Sequence, residues 1–446
     1  MFKIHHIANS FISVEAKNSI ITCDPWIGKT SDNGWYSYPI KSHKDVDPKI
    51  FNSKFIYISH LHCDHLDFKT LKRFKNKNLT FVIKKFDNGI LKRRLKNLTN
   101  KKIIEIEPFK KKKINKDFTV AIIPQIISNT SNLPDNIGYD LDTSILIQSN
   151  HSKKIFYNNV DMPLNLNVLK KINNFVKNNF KRKIDVFCYA LGAASEFPQC
   201  FLGINKSKEK KRIIDSSLKN LQIYLKYLKP NFFFPAGGKY LIYGKYFRLN
   251  KQIAQPSFSQ IKDSISNLKI KTLNLIGGGS INFDKSNYVV NEKMYKKDKK
   301  FKNKFINQIK NMKYYYSEKK EAINLKKLDN IFLNAKNNYA RILSKKKINT
   351  KWNIDFQIYK NYEIDKNLNI SKKQSNFLKK YNLKNYDTKN KNIYNLECHI
   401  EHGLFKSLLC GKFPWNTSLS GSTIMYKRNP EKFNVDMLFS LNFLRA

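Results

Sequence analysis

The chain has 446 residues, 41% of them hydrophobic and 13% aromatic, which is ample for globular packing and too long for one ordinary compact core. Its 83 Lys and Arg against 34 Asp and Glu leave a formal charge of +49. The excess is mostly lysine spread along the chain with abundant Asn and Ile, so it reads as a solvated basic surface that suits an anionic small-molecule substrate; no specific nucleic-acid partner is expected. Six cysteines without a Cys-x-x-Cys pair exclude a disulfide framework and a zinc ribbon and suit a reducing compartment. With no charged-then-apolar leader and no apolar run near the roughly 20 residues of a membrane span, the expectation is a cytoplasmic protein.

In chain order, the first half is strand-rich. Residues 2–16 and 19–23 alternate as a hairpin that delivers Asp24-Pro25-Trp26 into a loop. Residues 55–58 predict a short buried strand ending at Ser59, after which Asp67 can cap a helix over 68–74. Strands are predicted at 79–83, 103–106, 118–123, 143–148, 154–157, 184–189 and 231–234, and helices at 164–180 and 213–228. Residues 271–276 and 280–283 read as a final strand pair joined through Gly277-Gly278-Gly279. Two batches of strands with interspersed helices predict a layered α/β sandwich over 1–290. Beyond it, 291–394 reads as a Lys-rich helical or linker segment, and 395–446 as a smaller, mainly helical C-terminal unit.

The chemistry concentrates in one place. His60, His62, Asp64 and His65 directly follow the strand at 55–58, four metal-ligand side chains within six residues. A metal loop needs borderline or hard donors crowded on a short rigid stretch, and packing alone gives no reason for that density. Asp24, at the end of the hairpin, is placed to orient a ligand histidine through its free ring nitrogen. Asp140 and Asp142 are candidates to replace a third ligand histidine, because His151 alone stands between His65 and His399, and it sits in a turn. Ser195, Gly237 and Gly238 follow predicted strands in small-residue loops where substrate could approach the backbone. His402 reads as structural.

Ser59-His60-Leu61-His62-Cys63-Asp64-His65-Leu66-Asp67 resembles the signature loop of the metallo-β-lactamase superfamily. More narrowly, several stretches resemble the CMP-N-acetylneuraminate hydroxylase family outside its Rieske part. Among them are Asp24-Pro25-Trp26, Asp142-Thr143, Asn159-Val160-Asp161, Gly192-Ala193-Ala194-Ser195-Glu196-Phe197-Pro198 and Phe234-Pro235-Ala236-Gly237. The superfamily resemblance implies a metallo-β-lactamase-type αββα sandwich. It also implies one ion held by His60 and His62, a second by Asp64 and His65, and Asp161 as a metal-bridging carboxylate. Asp64 would also hold the attacking water as general base. Implied cofactors are one or two divalent ions, zinc or iron, with manganese compatible; the paired Cys-x-His and Cys-x-x-His ligands of a Rieske cluster do not occur in this chain. Three activities follow as expectations: metal-dependent hydrolysis of a phosphoester, ester or sugar nucleotide; iron-dependent hydroxylation of a CMP-sugar with electrons from a separate ferredoxin; or a degenerate site that only binds.

Overall fold

Apolar runs such as Phe118–Pro124 carry no polar face, which is the signature of strands covered on both sides. In the computed structural model, which describes residues 1–39, 42–87, 89–125, 142–284, 287–293, 298–318, 322–346, 352–385, 393–431 and 435–446, that is where they lie. In chain order come β1 (Phe2–Ala8), β2 (Phe11–Ala16), β3 (Ser19–Cys23), β4 (Trp35–Ser37), β5 (Phe55–Tyr57), α1 (Phe68–Leu71), β6 (Thr80–Lys84), α2 (Ile90–Leu98) and β7 (Lys102–Ile106). They are followed by β8 (Lys112–Lys113), β9 (Phe118–Pro124), β10 (Thr143–Ser149), β11 (Ile155–Asn158), α3 (Leu166–Phe180), β12 (Val186–Tyr189), α4 (Lys206–Leu228) and β13 (Phe232–Pro235). The sandwich closes with β14 (Tyr240–Ile242), α5 (Phe258–Ser264), β15 (Lys271–Thr272), β16 (Gly279–Asp284) and β17 (Asn287–Asn291).

One 8-stranded sheet runs β17-β16-β1-β2-β3-β5-β6-β7, and a 7-stranded sheet runs β15-β13-β12-β11-β10-β9-β8. Their facing sides share one apolar layer, in which Phe2, Ile4 and Val14 meet Val120, Ile122, Ile145 and Phe156. On the outer side of the first sheet, Ile56, Ile58 and Phe81 pack under Leu91 and Leu95 of α2. On the outer side of the second, Leu146 and Tyr157 pack under Leu169 and Ile172 of α3 and Leu221 and Leu225 of α4. Within β9, Val120 and Ile122 enter the inner layer while Ala121 and Ile123 enter the outer one. The layering is therefore αββα.

Two differences from the sequence expectation stand out. The strands expected to pair at 271–276 and 280–283 lie in different sheets: β15 pairs with β13 in parallel, whereas β16 pairs with β1 and β17. The intervening glycines carry the chain across the end of the sandwich, where Gly277 N and Gly278 N donate to Ile7 and His6 carbonyls.

The second difference is C-terminal. After α6 (Asp298–Ile309), α7 (Tyr315–Glu318) and α8 (Leu325–Lys345) come β18 (Trp352–Asn361) and β19 (Asn376–Asn385). Next are β20 (Tyr394–Glu401), α9 (His402–Leu409), α10 (Trp415–Ser420), β21 (Met425–Asn429) and α11 (Val435–Ser440). Helix outweighs strand, but the unit is organised on a sheet ordered β19-β18-β20-β21 that the helical expectation did not contain. Trp352, Ile354, Phe356 and Ile358 present one apolar face of β18, and Phe332 and Tyr339 of α8 and Phe405 of α9 cover it. That cluster continues into Trp26, Trp35 and Tyr240 of the sandwich, with the Trp35 and Tyr240 rings stacked at 4.0 Å.

Candidate metal centre

The strands β3, β5, β11, β12 and β13 run parallel to a neighbour, and chain segments leaving their carboxyl ends converge at one edge of the sandwich. Open α/β sheets bind ligands at such edges, because the strands stop there and loops must take over. Asp24 follows β3, His60 to His65 follow β5, and Asp161 follows β11, while Asp142 precedes the antiparallel β10. Thr143 bridges the two sheets beneath them, donating from Oγ1 to the Ser59 carbonyl at 2.7 Å and contacting Tyr57 Oη at 2.7 Å. The one-turn α1 is capped by Asp67, which accepts from Lys69 N and Thr70 N, so the loop is anchored at both ends.

Within this frame the ligand-type atoms face each other. His60 Nε2 lies 3.2 Å from Asp142 Oδ1, His65 Nε2 lies 3.0 Å from Asp161 Oδ2, and His65 Nε2 lies 3.5 Å from Asp64 Oδ2. Two overlapping sets, His60 with His65 and Asp161, and His60 with His62 and Asp142, each bring their donor atoms within 4.8 Å of one another. Ligands about 2.0–2.1 Å from a tetrahedral ion stand roughly 3.3 Å apart, so these spacings fit a shared cation. His60 Nε2 and Asp161 Oδ1 are buried and have no hydrogen-bond partner among the described residues. A cation would supply the missing interaction, and imidazole with carboxylate is a donor set for zinc, iron or manganese.

The far side of each ring is fixed. Ser59 Oγ contacts His60 Nδ1 at 2.9 Å, and Asp24 Oδ2 sits 3.1 Å from His65 Nδ1. Asp24 also accepts from Ser59 N at 2.8 Å and Ser59 Oγ at 2.7 Å. Burial pushes the Asp24 carboxyl up, with the His65 charge working against it. Burial, reinforced by the neighbouring His65 and His62 charges, drives His60 well below the usual imidazole range. For His65 burial acts downward too, but Asp64, Asp161 and Asp24 outweigh it and raise the ring well above that range. Neutral His60 beside a carboxylate-surrounded His65 is an arrangement prepared for positive charge.

Asp161 is not a helix cap: Asn165 fills that role, its side chain accepting from Val168 N. Asp142 lies at the cluster, whereas Asp140 falls outside the described residues. Asp64 receives a long hydrogen bond of 3.5 Å from Asn9 Nδ2. His151 pairs with Asp117 at 2.7 Å, and His402 is buried at the start of α9, in neither ligand set.

A cavity of about 560 Å³ opens on the cluster and is lined by His62, Asp64, Asp161 and Ser195. Gly237 and Gly238 do not line it. Gly237 instead backs the carboxylate, since a Cβ there would stand 3.0 Å from Asp161 Oδ1. The sequence reading missed the opposite wall, which comes from far along the chain: Asn416, Thr417, Leu419 and Arg428 join Asn33 and Trp35. Thr417 Oγ1 donates to buried Asp32 Oδ2 at 2.5 Å, Gly34 N donates to the Gly421 carbonyl at 2.7 Å, and Trp35 Nε1 donates to Ser422 Oγ at 3.1 Å. No local pattern signals these contacts, because they join residues nearly 390 positions apart.

The αββα layering and the His-x-His-x-Asp-His loop at its open edge define a metallo-β-lactamase-type fold. No family model matches the chain. Among curated proteins it is 23% identical over 256 residues to cytidine monophosphate-N-acetylneuraminic acid hydroxylase of Xenopus laevis, covering 54% of this chain and 38% of that one. It is 28% identical over 96 residues to a protein of Mycolicibacterium smegmatis described as a Rieske 2Fe-2S iron–sulfur protein, covering 22% of this chain and 18% of that one. The matches thus span well under half of these relatives' lengths. Among solved structures, a metallo hydrolase of the archaeon Ignicoccus hospitalis is similar with 16% identity and a TM-score of 0.43, over 64% of this chain and 98% of that one. Among the described residues no helix is long and apolar enough to cross a membrane.

Proposed function

We propose that the protein is a metal-dependent enzyme that hydrolyses an anionic small molecule, a phosphoester, ester or sugar nucleotide, at a centre of one or two divalent ions. The observation that carries this reading is the crowding of His60, His62, His65, Asp142 and Asp161 donor atoms beside a cavity lined by His62, Asp64 and Asp161. His60, His62 and Asp142 would hold one ion, and Asp64 and His65 the other, with Asp161 between them. When bound, such an ion lowers the pKa of a coordinated water to about 7 and polarises the oxygen of the bond to be cleaved.

The chain's own residues supply the rest. Asp24 and Ser59 keep the histidine rings in orientation, with Nδ1 of His65 donating to Asp24 so that Nε2 offers its lone pair. Asp64 faces the cavity and accepts the proton of the attacking water, so it is the general base. Trp35, Phe197 and Leu419 make an apolar wall that keeps bulk water from competing.

Iron-dependent hydroxylation of a CMP-linked sugar, with a separate ferredoxin as electron source, is the second reading. Two observations favour it: the 256-residue similarity to the Xenopus hydroxylase, and carboxylates standing where later histidines would be expected, which shifts preference toward iron or manganese. Elemental analysis of protein purified without added ions separates the readings. Stoichiometric zinc fits hydrolysis, iron fits hydroxylation, and no metal returns the cluster to a degenerate binding site. Changing His60 and His62 together to Ala is expected to abolish metal binding with the fold intact; full occupancy in that double variant would refute the ligand assignment.

A further inference from the structure

Arg428, on β21, lines the same cavity as His62, Asp64 and Asp161. Its side chain is 12% exposed, and its position is fixed by three contacts. The guanidinium carbon lies 4.9 Å from the Phe197 ring centre and 4.5 Å from that of Phe201, and Nε donates to Glu431 Oε2 at 3.2 Å. The two terminal NH₂ groups make no hydrogen bond among the described residues. An arginine stacked and tethered in this way has already given up its rotamer freedom, and a planar fork with free donors matches an oxyanion bidentately. A guanidinium so held on the cavity wall keeps its terminal donors available to a ligand.

We infer that Arg428 anchors the anionic group of the ligand, a carboxylate or a phosphate oxyanion, while the His/Asp cluster engages the bond to be transformed. This rests on the reading of that cluster as the reacting centre. The volume of about 560 Å³ is that of a small-molecule site, so one ligand touches both walls. Glu196 and Glu431 line the same cavity beside the guanidinium. One guanidinium, its charge already shared with Glu431, stands at this wall, so the anchored group is a single oxyanion rather than a polyphosphate chain. Arg212, the other arginine of the cavity, carries a similar tie to Glu209, but its side chain is 61% exposed and, among the described residues, unstacked, so it is a weaker rival for the role.

The test is calorimetric titration of the metal-loaded protein with inorganic phosphate and, separately, with acetate. Wild type is compared with Arg428→Gln and Arg428→Lys, with metal content and melting temperature measured on the same samples. Arg428→Gln is expected to weaken binding by about tenfold or more with metal content unchanged, because Arg428 touches no cluster residue. Arg428→Lys keeps charge and stem but loses the fork, so it is expected to weaken acetate more than phosphate; should the Gln variant fail to fold, this one carries the comparison. Weakening for both probes, or for one, supports the anchor and tells carboxylate from phosphate. Phosphate bound at the ions is common to all three proteins and cancels. Equal affinities in all three overturn the inference. A wild type without metal overturns the enzymatic reading instead, and the titrations still decide whether Arg428 is an anion site.

Discussion

Gly237 couples backbone conformation to the candidate metal ligands, and replacing it by Ala puts a definite strain on that coupling. Its φ is +86°, and an added Cβ would stand 2.9 Å from Ala190 Cβ and 3.0 Å from Asp161 Oδ1. A side chain in the left-handed region costs roughly 1–2 kcal/mol, and the overpacking adds about 1–3 kcal/mol. Gly238 next to it is a built-in control. Its φ is +65°, but its nearest neighbours to a Cβ lie at 3.6 and 3.9 Å, so Gly238→Ala bears only the backbone cost. Gly237→Ala is therefore expected to lose about 2–5 kcal/mol, against about 1–2 for Gly238→Ala. At about 2–4 °C per kcal/mol for a large domain, the first variant melts about 4–20 °C lower. The added methyl must also push the Asp161 carboxylate by a few tenths of an ångström, so Gly237→Ala is expected to hold metal more weakly, whereas Gly238→Ala is not. Calorimetric melting and competition with a chromophoric chelator measure both effects. If the two variants melt together and bind metal alike, the role assigned to Gly237 behind Asp161 is wrong.

Asp24→Asn preserves shape but replaces one carboxylate oxygen with a donor facing His65 Nδ1, and metal affinity is expected to fall about 10–100-fold in a chelator competition. His6 supplies a pH prediction. Burial, with a backbone hydrogen bond to Asn9 acting against it, pulls its pKa from 6.5 down to about 4. The unfolded chain then binds the extra proton first, so the contribution is present above pH 6.5 and is lost as pH falls toward about 4, on the order of 3 kcal/mol in all. Urea unfolding between pH 7 and pH 4 is expected to show a shallower decline in His6→Gln than in wild type; parallel declines would count against it.

How much of this was legible in the sequence depends on how far apart the relevant residues lie in the chain. The crowding of His60, His62, Asp64 and His65 could be read locally in one loop, whereas Asp161 was placed near them through the resemblance and lies 3.0 Å from His65 Nε2. A layered α/β sandwich was readable from two batches of strands with interspersed helices, while the αββα order came from the resemblance. β18 also carried its signal, since Trp352, Ile354, Phe356 and Ile358 alternate with half-buried neighbours. The surrounding Lys- and Asn-rich composition hid that period among polar residues. Gly237 was readable only as a loop glycine, because its closeness to Asp161 comes from packing between two strand ends. Arg428, Thr417 and Asn33 had no local mark at all, because their meeting is set by tertiary closure across most of the chain.

The wall that includes Thr417 and Arg428 has a consequence for biosynthesis. A ribosome finishes the His60 loop and the strands around it long before it adds the residues that meet Asp32, Gly34 and Trp35. The ligand-type residues of the sandwich are thus made while the cavity still lacks one of its walls. Completion of the far segment then fits the missing wall over the ligand cluster. An interrupted translation product would therefore hold the His60 loop and Asp161 without Arg428 and the rest of that wall.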